Sequence, residues 1–242
     1  MRFPKIKRWL LFLLWSWAWF LLIVLLIYPI SYGIFRLITV LLCLYLWLGA
    51  LFLFWNKNSI RYLCFLLALI VSGIIILPGY QVDGSILRQK YVQELSYYEG
   101  SLYVWGGENK FGIDCSGLVR RGLINANLKM GLLSFNSKLL REAFLLWWYD
   151  ASAEALGKEY RNWTKFLYKA PSINELDNSK IQTGDIAVTT DGLHILAYIG
   201  NNVWIEADPN YQKVIKVKVP DASNIWFRVP VNILEWRQFE TG

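Results

Sequence analysis

Apolar residues run almost unbroken through the first 80 positions, then give way to shorter stretches in which polar and apolar residues alternate or mix. Three runs stand out, at residues 9–28, 37–55 and 62–77. Each is close to the roughly 20 residues that a helix needs to cross a bilayer core of about 30 Å. A helix satisfies its own peptide groups, which are costly to leave unpaired in hydrocarbon, so the runs predict three transmembrane helices. Ile30-Ser31-Tyr32-Gly33 breaks the first from the second, and Pro78-Gly79 closes the third. Trp9, Tyr28, Trp55 and Tyr62 fall at the predicted ends, where amphipathic rings favour the headgroup zone. The first run is longer than the apolar region of a signal peptide and no small-x-small cleavage site follows it, so it is read as retained.

Beyond the turn-rich linker Gly79 to Ser85, which reaches only about 25 Å when extended, the pattern changes to helices and strands of a water-soluble fold. The periodicity predicts a helix over Ile86 to Tyr98 and another over Ser116 to Met130, with Gly131 as its stop. Ile186 to Thr189 reads as a strand entered through the turn Gly184-Asp185. His194 to Ile199 and Val203 to Ala207, separated by Gly200-Asn201-Asn202, read as a β-hairpin. The stretch 134–170 looks helical and contains Phe144-Leu145-Leu146-Trp147-Trp148, more successive apolar residues than one helical face buries. It is either a helical pair packed on the core or a lid that touches the membrane. The organisation expected is therefore an anchor over 1–80 and a second domain over 81–242 with an insertion at 134–170.

Charge sharpens this division. All 18 acidic residues lie at or after Asp83, and from position 81 onward they are matched by 18 basic ones, so the net charge of +7 belongs to the apolar part. Nucleic-acid binding has no support in such a balance. Arg2, Lys5, Lys7 and Arg8 precede the first run, Arg36 alone lies in the first connection, and Lys57 and Arg61 lie in the second. The positive-inside rule then puts the N-terminus and the second connection in the cytoplasm and residues 81–242 outside it, on the periplasmic or wall side of a cell membrane.

Outside the apolar runs, which hold Cys43 and Cys64, the only thiol is Cys115, and the chain has a single histidine, His194. Cys115 falls where a helix begins. Free N–H groups and the positive end of the helix dipole favour a thiolate there. His194 is the only imidazole available to serve as its base. Glu206, on the second strand of the hairpin, shares a face with His194 if the connection keeps the strands in phase; a regular two-residue loop would send it to the opposite face. In phase, Glu206 can accept from one imidazole nitrogen while the other faces Cys115. No metal site is implied, since too few soft or imidazole donors lie outside the apolar runs, and no phosphate-binding glycine loop is present, so no cofactor is expected.

YVWGG at Tyr103 to Gly107, DCSGLV at Asp114 to Val119, GD at Gly184-Asp185 and HILAYIGNNVWIEA at His194 to Ala207 together resemble the NlpC/P60 family of papain-like cysteine peptidases, which cleave peptidoglycan stem peptides. The resemblance covers about residues 86–230. It implies an α+β fold, with N-terminal helices packed on a small antiparallel sheet, here preceded by the transmembrane helices. It further implies that Cys115 is the nucleophile, His194 the general base and Glu206 the third, orienting residue. Tyr103 matches a tyrosine near the oxyanion site, and Asp114 and Ser116 match residues that help bind the substrate's free amino group. The third position is often histidine, asparagine or glutamine in the family, and Asp208, in the same strand phase, is the alternative orienter. The 78 residues between Cys115 and His194 also exceed the usual spacing. The expected activity is amide hydrolysis in a peptidoglycan peptide at the surface of a lipid bilayer. The alternatives are a papain-like amidase or acyl hydrolase acting on a lipid or lipoprotein, and a non-catalytic binding domain. Nothing in the sequence speaks to oligomeric state.

Overall fold

A computed structural model describes residues 5–240. Its first three helices, α1 (Lys5–Ile27), α2 (Gly33–Leu53) and α3 (Asn58–Ile76), are long and apolar enough to cross a membrane. Ala18 and Leu22 of α1 pack on Leu46 of α2, and the Trp15 indole donates to the Leu46 carbonyl at 3.0 Å while lying over Gly49. The third helix starts four residues before the apolar run that predicts it, because Asn58 to Arg61 complete its first turn. Arg2 lies outside the described residues. Arg36 is not a loop residue: it sits in the first turn of α2 and is only 1% exposed.

The rest of the chain builds an α+β unit. Asp83 caps α4 (Gly84–Ser96) by accepting from the Ser85 amide at 2.8 Å. A two-stranded ribbon of β1 (Glu108–Asn109) and β2 (Gly112–Ile113) leads into α5 (Cys115–Leu133), followed by α6 (Ser137–Trp148) and the short α7 (Ala153–Gly157). The remaining strands are β3 (Thr164–Ala170), β4 (Ile186–Thr189), β5 (Ile195–Gly200), β6 (Val203–Asp208), β7 (Lys213–Lys218) and β8 (Val231–Trp236). They form one antiparallel sheet in the order β3-β8-β4-β5-β6-β7.

Strand alternation splits the sheet's side chains between two cores. Ile186, Val188, Ile195, Ala197, Ile205 and Ala207 join Leu87, Tyr91, Leu118 and Leu123 of the helices α4 and α5. Their neighbours Ala187, Leu196, Tyr198 and Trp204 pack instead with Ile173, Phe227 and Val231. Arg88 of α4 fastens helix to sheet, reaching Asp185 at 2.5 Å and Glu235 at 3.1 Å. The Gly184-Asp185 motif is thus a turn whose carboxylate bolts α4 in place, and burial pushes that carboxyl's pKa up.

Two expectations are corrected. Gly131 does not stop α5, which runs on to Leu133; α6 packs against it there, and a β-carbon on the glycine would sit 2.9 Å from the Leu140 side chain, which would have to turn aside. Residues 134–170 are not helical throughout, since 164–170 form β3 paired with β8 across a bulge between Phe166 and Tyr168. That pairing depends on a partner almost 70 residues away, which local periodicity does not see. Of the apolar run on α6, Leu146 is fully buried together with Leu139 and Ala143, whereas Phe144 is half exposed. The helix packs against α5 and also against α3, where Arg141 donates to the carbonyls of Ile74 and Leu77.

Candidate active site

Asp114 sets the start of α5. Its extended backbone halts the preceding ribbon, and its Oδ1 accepts from the Gly117 amide at 2.6 Å and the Ser116 hydroxyl at 3.0 Å. Its Oδ2 accepts from the Gly106 amide at 2.8 Å. Cys115 is therefore the first helical residue, and its thiol is free. Gly117 is obligatory, because a β-carbon there would collide with the Gly107 carbonyl oxygen. Gly106 turns the chain with φ +72°, a conformation that favours glycine. The YVWGG and DCSG segments thus form one close-packed backbone crossing.

His194 lies at the entrance to β5 and is 1% exposed. Its Nε2 is 2.7 Å from Glu206 Oε2, and its other interaction partner is the Cys115 side chain. The hairpin reaches this geometry by an unexpected route. Asn201 and Asn202 make a two-residue turn, both with positive φ, which alone would put Glu206 on the wrong face. A bulge between Tyr198 and Gly200 adds the odd residue, so that Ala197 pairs with Ile205 and Tyr198 with Trp204. Continued along both strands, this register leaves Glu206 diagonal to His194.

Two further residues complete the cluster. Asn224 donates from Nδ2 to Glu206 Oε1 at 2.5 Å, and the Trp226 ring stacks on the imidazole at 4.2 Å with 15° between planes. Neither is signalled by sequence pattern: both sit in an irregular segment after β7, and Asn224 caps a single turn at Ile225–Arg228. Asp208 does not orient His194. Its Oδ1 accepts from the amides of Asn210 and Tyr211 at 2.5 and 3.1 Å, closing the turn after β6.

The electrostatics follow from burial and partners. Burial alone would lower the His194 pKa, but hydrogen bonding to Cys115 and Glu206 and their negative charge outweigh it and raise the value to about 9. Tyr103 is pushed up by burial first and then by the nearby Cys115, Asp114 and Asp208, so its hydroxyl stays protonated and able to donate.

The sequence matches the NlpC/P60 family over residues 100–229, more than half of the chain and the whole of this cluster. The chain belongs to the NlpC/P60 family. Among solved structures it is similar to NlpC2 from Trichomonas vaginalis, with 20% identity over 64% of this chain and 49% of that one, at a TM-score of 0.41. It is also similar to the peptidoglycan hydrolase RipB from Mycobacterium tuberculosis, with 17% identity, 70% and 72% coverage and a TM-score of 0.40. NlpC1 from Trichomonas vaginalis gives 18%, 64%, 46% and 0.41 in the same terms, so the chain spans about half the length of the two Trichomonas proteins. No curated protein sequence matches it. On this NlpC/P60 fold the sequence-predicted residues Tyr103, Asp114, Cys115, Ser116, His194 and Glu206 converge on the head of α5 and the mouth of the β5–β6 hairpin. Asp114 and Ser116 are there as the cap of the helix.

Proposed function

We propose that the protein is a membrane-anchored cysteine peptidase that hydrolyses an amide bond of peptidoglycan stem peptides, with Cys115, His194 and Glu206 as its catalytic residues. The observation that carries this reading is the single imidazole of the chain held between a buried carboxylate and the thiol at a helix start. In the reaction, Cys115 Sγ attacks the scissile carbonyl carbon while its proton rests on His194. The developing oxyanion is met by the Cys115 backbone N–H and the Tyr103 hydroxyl. His194 then gives the proton to the leaving amine, the C–N bond breaks, and a thioester remains. Water attacks the thioester with His194 as base, releasing the carboxylic acid and restoring the thiol. Glu206 fixes the imidazole orientation, Asn224 fixes Glu206, and Asp114 with Ser116 receives the substrate's free amino group. Residues 1–80 act as the anchor and 81–242 as the catalytic domain, outside the cytoplasm.

Digestion of purified cell wall by the native protein and by Cys115→Ala tests the assignment. New amino termini on stem peptides, seen with the native protein only, are the expected result. Fatty acid or headgroup release from lipid would show an acyl hydrolase instead, and identical inert behaviour of both proteins would show a binding domain.

A further inference from the structure

The Gly106–Glu108 segment is bonded on both of its edges. On one side the Gly106 amide donates to Asp114 Oδ2 at 2.8 Å and the Asp114 amide donates to the Gly107 carbonyl at 3.1 Å, which ties the segment to the cap of the Cys115 helix. On the other side it pairs with the connection between α1 and α2. The Ser31 amide donates to the Gly106 carbonyl and the Glu108 amide to the Pro29 carbonyl, both at 3.0 Å, around an antiparallel bridge between Ile30 and Gly107. The Asn109 side chain donates to the carbonyls of Ile27 and Tyr28, and the Tyr32 ring covers Gly106 so closely that a β-carbon would lie 2.8 Å from it.

An ion cluster locks this arrangement, with Arg36, Glu108 and Arg120 buried and Asp150 35% exposed at its edge. Arg36 of α2 reaches Glu108 at 2.9 Å and Asp150 at 3.0 Å, and donates to the Ser31 hydroxyl at 3.1 Å and to the Trp147 carbonyl. Arg120 of α5 meets the same two carboxylates at 2.8 and 2.7 Å. Two guanidinium groups and two carboxylates thus alternate between an apolar helix and the helix that carries Cys115. An arginine is a costly residue to place on such a helix unless it is paired.

We infer that Arg36 and the 28–32 connection of the N-terminal helices are positioning elements of the catalytic site, holding Gly106–Glu108 against Asp114 and thereby fixing the head of α5. The inference rests on the reading of Cys115 as the nucleophile. It makes the helices a working part of the peptidase as well as its tether.

The test uses the full chain in detergent micelles. Arg36→Gln should lower kcat on stem peptide about 100-fold, the scale of a misplacement of an ångström, while KM changes far less. It should also speed amide exchange across residues 104–115 and alter the pH profile of Cys115 alkylation by iodoacetamide, followed peptide by peptide. Arg36→Lys should regain part of each effect. If Arg36→Gln does not fold, Tyr32→Ala, which spares the ion cluster, should show the same pattern more weakly. Folded variants with wild-type exchange and alkylation across this segment would overturn the inference. Altered exchange and alkylation in a protein that cuts no stem peptide would uphold the positioning and remove the peptidase reading instead.

Discussion

His194 binds its proton more tightly in the folded protein than the ordinary value of 6.5 allows, because its gains from Cys115 and Glu206 exceed its desolvation cost. A raised histidine pKa stabilises the fold fully below pH 6.5, and the contribution fades as pH rises through about 9. It is worth roughly 3 kcal/mol at most. Thermal unfolding of the wild type and of His194→Gln should therefore differ most near pH 6 and converge above pH 9. Catalysis should follow the same group, because the leaving amine takes its proton from the imidazolium. The alkaline limb of kcat/KM is expected near pH 9, and Glu206→Gln should move it to lower pH by removing the carboxylate's charge; a limb that stays in place would show that Glu206 does not act on His194. At Gly117 the constraint is steric. Gly117→Ala forces the Gly107 carbonyl away from α5. Overpacking of this kind costs about 2 kcal/mol, measurable as a lowered denaturation midpoint, and it should reduce activity beyond the loss of folded protein.

Among the elements, α3 and α6 are joined through the end of a helix. The last carbonyls of α3 have no partner within it, and Arg141 of α6 donates to those of Ile74 and Leu77 at 2.6 and 2.7 Å. Ser137 adds a second bond to Leu77 at 2.8 Å. Removing the charged donor in Arg141→Ala should cost about 2 kcal/mol locally and speed exchange of the Leu77 amide, while the β4–β5 amides stay as they were. What the sequence discloses depends on how far along the chain the deciding contact lies. Cys115 and His194 were legible because each is the only residue of its type that the second part of the chain offers, and α5 because its apolar period is local. Glu206 was legible only up to a condition on strand phase. The condition was met by a bulge, which no spacing rule anticipates when the turn itself is the even-length Asn201-Asn202. Asn224 and Trp226 were invisible since an irregular loop has no period. The strand β3 and the burial of Arg36 share a reason for departing from the local pattern. Each is decided by a distant partner, β8 and Glu108 respectively, and not by its own neighbours in the chain.

For the molecule as a whole, the burial of Arg36 changes the charge argument about sidedness. Taken as a free loop charge, Arg36 opposed the basic residues at the other ends of the helices. Paired with Glu108 and Asp150, it belongs to the folded unit and leaves the 28–32 connection without a free cation. Lys57 and Arg61 remain in or beside the α2–α3 connection, where Arg61 lies over the rings of Trp55 and Tyr62 at 5.5 and 5.6 Å. At the end of α3 that meets the α+β unit, Leu133 and Phe135 lie exposed on either side of Ser134, whose carbonyl accepts from Tyr80, and the cation present there, Arg141, is engaged by the Ile74 and Leu77 carbonyls. Such exposed apolar residues suit a headgroup zone next to the bilayer. The arrangement predicts that the α+β unit rests on the outer surface with the α2–α3 turn inside. A cysteine introduced at Tyr211, which is 52% exposed, should react with a membrane-impermeant maleimide in intact spheroplasts. One introduced at Asn58 should react only after permeabilisation, and the reverse pattern would turn the molecule over and place the proposed peptidase on the side away from the wall.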